Sequence, residues 1–272
     1  MDTELARKYD RLKERLATFG ALAVAFSGGV DSTLLLAVAH EALGDRVLAV
    51  TGRSPAVPAR EIEETCNFCQ GLGVRHIVVD THEFDIPGFD HNPPDRCYIC
   101  KKEIFSCIAD AAAEFGAETL AEGSNVDDDG DYRPGFRAVQ ELGVISPLRD
   151  AGFCKDDIRA LARELGLAAW NKPAFACLNS RFAYGDLLSP ERLAQVDAAE
   201  ESIRALGFDQ VRVRMQDSTA RIEVPPADIE RIASPAIRQA IVDELKHLGY
   251  SYVALDLQGY RTGSMNETLI AE

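Results

Sequence analysis

The residues with the clearest chemical purpose are Ser27, Gly28, Gly29, Asp31 and Ser32, which stand together in Phe26-Ser27-Gly28-Gly29-Val30-Asp31-Ser32. The apolar run 22–26 leads straight into this stretch, and Leu34, Leu35, Val38, Ala39 and Ala42 follow it at helical spacing. The pattern predicts a buried strand, a tight glycine turn and a helix N-terminus. Amide groups without intrahelical acceptors, together with the helix dipole, make such a terminus an anion site. Gly28 and Gly29 let the backbone approach an oxyanion, and the hydroxyls of Ser27 and Ser32 add donors. A Walker A loop would end in Gly-Lys-Ser/Thr, and no lysine is present here; Gly-x-Gly-x-x-Gly is absent as well. An ordinary strand–turn–helix junction is the plain alternative.

Seven cysteines supply the other candidate chemistry. Cys97 and Cys100 follow Asn92-Pro93-Pro94-Asp95, which a helix cannot enter, so they fall in or near the first turn of the next helix. There the dipole and the neighbours Arg96, Lys101 and Lys102 favour thiolate. A spacing of three puts both sulfurs on one face, although a plain surface pair has the same spacing. Cys177 lies in Asn171-Lys172-Pro173-Ala174-Phe175-Ala176-Cys177-Leu178-Asn179-Ser180-Arg181, which has no amphipathic period. It reads either as a reactive loop thiol or as a buried cysteine. Cys66 and Cys69 form a second CxxC pair, but with Ile62 and Leu72 they keep helical spacing, which predicts core packing. Core is also expected for Cys107, and a cap or surface place for Cys154. A zinc site from both pairs would need Cys66 and Cys69 to leave the core. Cys97, Cys100 and Cys177 would instead suit a [4Fe–4S] cluster with one iron open to carry a sulfide.

These residues need a scaffold. Short apolar strands over 22–26, 47–51, 76–79, 119–121 and 144–145 alternate with helices over 33–43, 58–72, 98–115 and 156–165. Such alternation predicts an α/β fold, a parallel five-stranded sheet with helices on both faces. Ligands of such sheets lie at the carboxyl ends of the strands. That edge receives the glycine turn, Gly52-Arg53-Ser54 and Glu122-Gly123-Ser124-Asn125, natural walls for adenine and ribose. The texture changes across 178–189. Beyond it come a helix over 190–206, alternating strands over 211–215 and 220–224, a helix over 234–248 and a strand over 252–255. We read a small C-terminal α+β domain whose sheet has one apolar face and one carrying Arg212, Arg214, Arg221 and Glu223. The expected domains are 1–185 and 186–272.

The 272 residues, 46% hydrophobic, suffice for one large domain or two modest ones. No apolar run reaches the ~20 residues of a membrane span, and residues 1–20 read as a charged amphipathic helix rather than a signal peptide. An odd number of cysteines points to a reducing compartment, so a cytoplasmic protein without a membrane partner is expected. A net charge of −15 argues against broad phosphate-backbone binding, and no nucleic-acid partner is expected.

Ser27-Gly28-Gly29-Val30-Asp31-Ser32 resembles the PP-loop of the ATP pyrophosphatases, which grip the β- and γ-phosphates and split ATP between α and β. Joined to Glu122-Gly123-Ser124-Asn125-Val126-Asp127-Asp128-Asp129-Gly130-Asp131-Tyr132-Arg133-Pro134-Gly135 and the segments 172–181 and 211–224, it makes the chain resemble the LarE family over almost its whole length. The resemblance implies an ATP-dependent sulfur transferase acting in nickel-pincer nucleotide cofactor biosynthesis. Such an enzyme adenylylates a carboxylate of pyridinium-3,5-biscarboxylic acid mononucleotide, attaches sulfur, and releases AMP and a thiocarboxylate. Some members give up the sulfur of the cysteine matching Cys177 and keep dehydroalanine; others hold a [4Fe–4S] cluster on three cysteines, here Cys97, Cys100 and Cys177. Having all three, this chain resembles the cluster type. By the same resemblance Asp31 and the glycine loop hold pyrophosphate with Mg²⁺; Arg53, Gly123 and Asp127, in or beside the strand-end walls, are expected to join the ATP site. Arg212 and Arg214 bind the substrate phosphate, Glu200 and Glu223 bind a divalent ion, and Ser180 and Arg181 complete the loop after Cys177. A homo-oligomer is implied, and a hexamer would be in keeping. Rival readings are an amidating synthetase, a tRNA thiolation enzyme and a non-catalytic nucleotide sensor.

Overall fold

The computed structural model describes residues 2–130, 134–173 and 176–261. Asp131, Tyr132 and Arg133 of the family motif, and Ala174 and Phe175 beside Cys177, lie outside the described residues. The chain divides into two compact units, Met1–Ile86 with Pro94–Phe175, and Pro87–Pro93 with Ala176–Glu272.

The first unit runs α1 (Thr3–Ala17), β1 (Leu22–Ala25), α2 (Val30–Leu43), β2 (Val47–Arg53), α3 (Ala59–Leu72), β3 (Arg75–Asp80), α4 (Arg96–Phe115), β4 (Thr119–Ala121), α5 (Pro134–Glu141), α6 (Pro147–Asp150) and α7 (Lys155–Glu164). Its sheet has the order β3-β2-β1-β4 and is parallel throughout. The strand order reverses at β1, so the glycine turn leaves the sheet at the switch point, where open α/β sheets bind ligands. The fifth strand expected over 144–145 is reduced to one parallel bridge, Ile145 to Ala121. Gly143 takes a left-handed φ of 67° on one side and Pro147 opens α6 on the other, which leaves no room to extend.

Side chains alternate across this sheet as the pleat requires. Leu22 and Val24 of β1, with Val47 and Ala49 of β2, face a core shared with Leu12 and Leu16 of α1, Leu34 and Leu35 of α2, and Ile158 and Leu161 of α7. Ala23, Leu48 and Val50 face the other side, against Ile108, Ala111 and Ala112 of α4. α2 is buried on nearly all sides, from Val30 through Leu43. Each fully buried leucine contributes about 1.5–3 kcal/mol, so the helix whose N-terminus closes the glycine turn is firmly seated.

The second unit holds α8 (Pro190–Arg204), β5 (Arg212–Gln216), β6 (Thr219–Glu223), α9 (Ile229–Ile232), α10 (Pro235–His247) and β7 (Tyr252–Leu255). Its sheet has the order β5-β6-β7. β5 and β6 form an antiparallel hairpin around Asp217, and β6 reaches the parallel β7 through α9 and α10. Val213, Met215, Ala220 and Ile222 are buried, as expected of the apolar face. Segment 87–93 belongs to this unit because buried Asn92 donates to the carbonyls of Phe182 and Ala183 and accepts from the Gly185 amide. Among the described residues no helix is long and apolar enough to cross a membrane.

Candidate active site

In the first unit, the chain leaves β1, passes Ser27 and turns at Gly28, whose φ of 72° is left-handed. A Cβ there would also stand 3.1 Å from Thr65 Cγ2, so both conformation and space call for glycine. Gly29 is the N-cap of α2 and adds no side-chain cap bond. The Val30, Asp31 and Ser32 amides therefore lack intrahelical acceptors by position. Ser32 Oγ braces the turn, donating to the Gly29 carbonyl at 3.2 Å, accepting from the Ser27 amide at 3.3 Å and lying 3.1 Å from Ser27 Oγ. This terminus opens into a cavity of about 750 Å³, a size suited to a small ligand.

The opposite wall comes from the stretch after β4. Gly123 sits against the first turn of α2, and Asn125 Nδ2 donates to Asp31 Oδ1 at 3.2 Å. Asp127 caps α7 from outside by accepting the Lys155 amide at 2.7 Å. The Lys155 ammonium in turn pairs with Asp31 at 2.5 Å. Lys172 enters the same cavity, with Nζ 2.7 Å from Glu61, 2.6 Å from Glu64 and 3.3 Å from the Gly28 carbonyl. Burial lowers the Lys172 pKa, but the two carboxylates outweigh it and hold the ammonium above its ordinary value. Sequence reasoning put neither Lys155 nor Lys172 in the nucleotide site, although Lys155 follows Cys154 directly and Lys172 shares the Cys177 loop. Their acidic partners are 124 and 111 residues away along the chain.

Ser27, Gly29, Asp31, Ser32, Gly123 and Asp127 thus share one cavity wall. Arg53 does not. Its guanidinium pairs with Asp80 on the neighbouring strand at 2.6 Å, because β2 continues two residues past the expected end and pairs Arg53 with Asp80 in register. Gly52 lines the cavity in its place.

Cys97 lies in the first turn of α4 and Cys100 opens the second, the former exposed and the latter half-buried. Cys154 is the N-cap of α7, in a capping box with Asp157. Cys69 is buried, but Cys66 is exposed, against expectation. The buried stripe of α3 runs Glu61, Thr65, Cys69 at intervals of four, and Cys66 falls one position off it. Cys107 is half-buried and donates to Glu103. Among the described residues no group of three or more His, Cys, Asp or Glu stands ready to hold a metal ion.

The second unit contains Cys177, Ser180, Arg181, Glu200, Arg212, Arg214 and Glu223. Cys177 is half-buried and precedes a single 3-10 turn, Leu178–Arg181. On the polar face of the β5–β6 hairpin Glu223 and Arg212 are buried, 1% and 7% exposed, while Arg214 and Arg221 are half-buried. Arg214 forks onto Glu223 at 3.0 and 2.9 Å, and Arg221 reaches the same carboxylate and Asp256. Glu200 is bound by Arg181 and Arg204. The two carboxylates expected to hold a divalent ion are therefore counter-ions of arginines. Arg212 lies beside this pair with its guanidinium over the Tyr260 ring, 5.3 Å from its centroid. Burial first, and then the charge of Arg181, lower its pKa. A buried guanidinium disfavoured in this way gains from an anion.

The likenesses to known proteins follow this geometry. A family model described as NAD synthase matches residues 4–91. A glutamine-hydrolysing GMP synthase of Aeropyrum pernix is 30% identical over 173 residues, 56% of this chain and 33% of that protein. An uncharacterised protein of Synechocystis sp. is 38% identical over 265 residues, 97% of this chain and 99% of its own length. Pyridinium-3,5-bisthiocarboxylic acid mononucleotide synthase of Lactiplantibacillus plantarum is 42% identical over 269 residues, 97% of this chain and 96% of that protein. The likeness to this synthase takes in the glycine cradle and the arginine-rich second unit alike, and the chain belongs to its family, LarE, within the PP-loop superfamily.

Proposed function

We propose that this protein uses ATP to activate a carboxylate of pyridinium-3,5-biscarboxylic acid mononucleotide and replaces the activated oxygen with sulfur. One observation carries the reading. A chain alike over 97% of its length to a synthase named for the bisthiocarboxylate product carries an amide cradle facing a nucleotide-sized cavity. In this reading the triphosphate lies over the first turn of α2, and Lys155 and Lys172 exchange their carboxylate partners for phosphate oxygens. A substrate carboxylate oxygen attacks the α-phosphorus, the bridging α–β bond breaks, and pyrophosphate rests on the loop amides. Where Cys177 is itself the sulfur donor, its thiolate then displaces AMP from the acyl carbon. Loss of the Cα proton and the Cβ–S bond frees the thiocarboxylate and leaves dehydroalanine.

Two groups would serve this chemistry. Asp31 and Asp127 offer the hard oxygens that Mg²⁺ prefers, and the ion would neutralise phosphate charge there. The thiols of Cys97, Cys100 and Cys177 have the chemistry of cluster ligands. A [4Fe–4S] group on them would supply a renewable sulfide and spare the Cys177 sulfur. We further infer a cytoplasmic homo-oligomer, read as a hexamer, without nucleic-acid partners; light scattering tests the assembly.

The test supplies ATP, Mg²⁺ and the dicarboxylate mononucleotide to protein reconstituted anaerobically with iron and sulfide, and to untreated protein. Cys177→Ser is expected to release pyrophosphate without forming thiocarboxylate; full sulfur transfer by this variant removes Cys177 from the mechanism. Mass spectrometry of the 177 peptide after turnover separates the sulfur sources. Loss of H₂S means sacrifice, whereas an intact residue and an iron chromophore lost in Cys97→Ser mean a renewable carrier. Labelled ammonia in the product would replace this reading with amidation, as in the synthetases that share the loop.

A further inference from the structure

We infer that Arg181 is a positioning residue: held by Glu200, it clamps the main chain at Ala176 and Cys177 and so fixes how the Cys177 thiol is presented. The inference rests on the proposed part of Cys177 in sulfur transfer and adds to it a group that never touches the sulfur.

Arg181 is 1% exposed and Glu200 0%. Nε and Nη2 of Arg181 donate to Glu200 Oε1 and Oε2 at 2.8 and 3.0 Å, a bidentate fork. Nη1 turns to the loop and donates to the Ala176 carbonyl at 2.6 Å, the Cys177 carbonyl at 3.1 Å and Ser180 Oγ at 2.9 Å. Its two hydrogens are shared among three acceptors, which leaves none for a ligand. Glu200 is equally committed. Oε1 also accepts the Val213 amide of β5 at 3.0 Å, and Oε2 accepts Arg204 at 2.8 Å. All four acceptor positions of the carboxylate are filled.

The Cys177 carbonyl thereby receives three donors: the Ser180 amide at 3.0 Å, Ser180 Oγ at 2.8 Å and Arg181. A short loop with one 3-10 turn is thus tied through Glu200 to α8 and to β5. Arg214 repeats the device, with a fork on Glu223 and Nη1 donating to the Ser180 carbonyl. Two arginine–carboxylate forks, one buried and one half-buried at Arg214, each direct their remaining nitrogen at main-chain carbonyls of 176–180. A buried ion pair is costly unless its geometry and extra bonds are good, and here the extra bonds go to the stretch that carries the thiol. Small displacements of a reacting group cost much rate, which gives the clamp its purpose.

The experiment uses the full-length protein and measures alkylation of each thiol by iodoacetamide with peptide mass spectrometry. Thiocarboxylate formed per pyrophosphate released is measured beside it. Arg181→Lys keeps a charge for Glu200 without the fork; Ser180→Ala removes one bond to the Cys177 carbonyl and leaves the ion pair. In folded Arg181→Lys the Cys177 alkylation rate is expected to change on the order of tenfold, and the sulfur-to-pyrophosphate ratio to fall about tenfold. Cys66 and Cys97 serve as internal references. A rate and ratio within about twofold of the parent protein overturn the clamp. Should Arg181→Lys fail to fold, Ser180→Ala decides: shifts in both readouts support the clamp, and unchanged values overturn it. Parent protein that forms no thiocarboxylate at all would end the sulfur-transfer reading, while the alkylation rates would still judge the clamp.

Discussion

Gly123 lies against the first turn of α2 so closely that a Cβ on it would stand 2.9 Å from the Ser32 amide nitrogen and 3.2 Å from the Asp31 carbonyl carbon. Both are backbone atoms of a helix buried on nearly all sides, so neither can give way cheaply. Gly123→Ala is expected to displace the cradle amides, slow pyrophosphate release on the order of a hundredfold and cost about 1–3 kcal/mol of stability. Release assays and thermal unfolding check the two effects separately. Unaltered release would remove the Ser32 amide from phosphate binding.

Lys172 is held by Glu61 and Glu64 in the place where phosphate charge is expected. Its raised pKa keeps it charged: the ion pairs contribute fully below the ordinary lysine value and fade only as pH rises through the raised one. Lys172→Gln is expected to weaken binding of a non-hydrolysable ATP analogue about tenfold or more, as for a charged hydrogen bond worth about 1.5–3 kcal/mol. Glu64→Gln removes a competitor for the lysine and is expected to tighten binding. Calorimetry with Mg²⁺ present reads both, and weaker binding in Glu64→Gln would contradict the exchange of partners.

What the sequence made legible was local. Ser27 to Ser32 announced strand, turn and helix because glycine conformations and helix termini depend on near neighbours. Alternating residues placed Val213 and Ile222 on the inner face and Arg212 and Glu223 on the other. The failures needed distance. Asn92 draws 87–93 into the second unit through carbonyls 90 and 91 residues away. Arg53 turned from the cavity to Asp80, a partner set by strand register. Glu200 and Glu223 are counter-ions of Arg181 and Arg214, pairings that packing sets and no local pattern announces. Cys66 shows a finer failure, since spacings of three and four both look helical and only packing decides which stripe is buried.

The CxxC pair of α3 divides sharply in exposure, with Cys66 at the surface and Cys69 buried. Burial, with Cys66 adding its charge, pushes the Cys69 thiol up to about 12, and burial with Glu103 pushes Cys107 up to about 11. Alkylation at mildly alkaline pH is expected to label exposed Cys66 and Cys97 first and Cys69 last. Cys66→Ser is expected to change stability by less than about 0.5 kcal/mol, and Cys69→Ser to cost about 1–3 kcal/mol for a hydroxyl in the core. Equal labelling of Cys66 and Cys69 would mean that α3 presents another face.

Acid stability offers the last test, through Glu200. Burial works to raise its pKa, but the Arg181 fork, then Arg212 and Arg204, outweigh it and hold the carboxyl below its ordinary value. A carboxyl depressed in the folded state adds stability above its unfolded value of about 4.3, and that share is lost as pH falls through the folded value. Glu200→Gln leaves Arg181 without its counter-ion and is expected to cost about 3–5 kcal/mol at neutral pH. The gap between parent and variant should narrow as acid protonates Glu200 in the parent. Urea unfolding followed by circular dichroism from neutral to acid pH measures that gap. A gap constant down to strong acid would mean that the bonds of Glu200 count without its charge, and the arginines would then be held by shape rather than by ionisation.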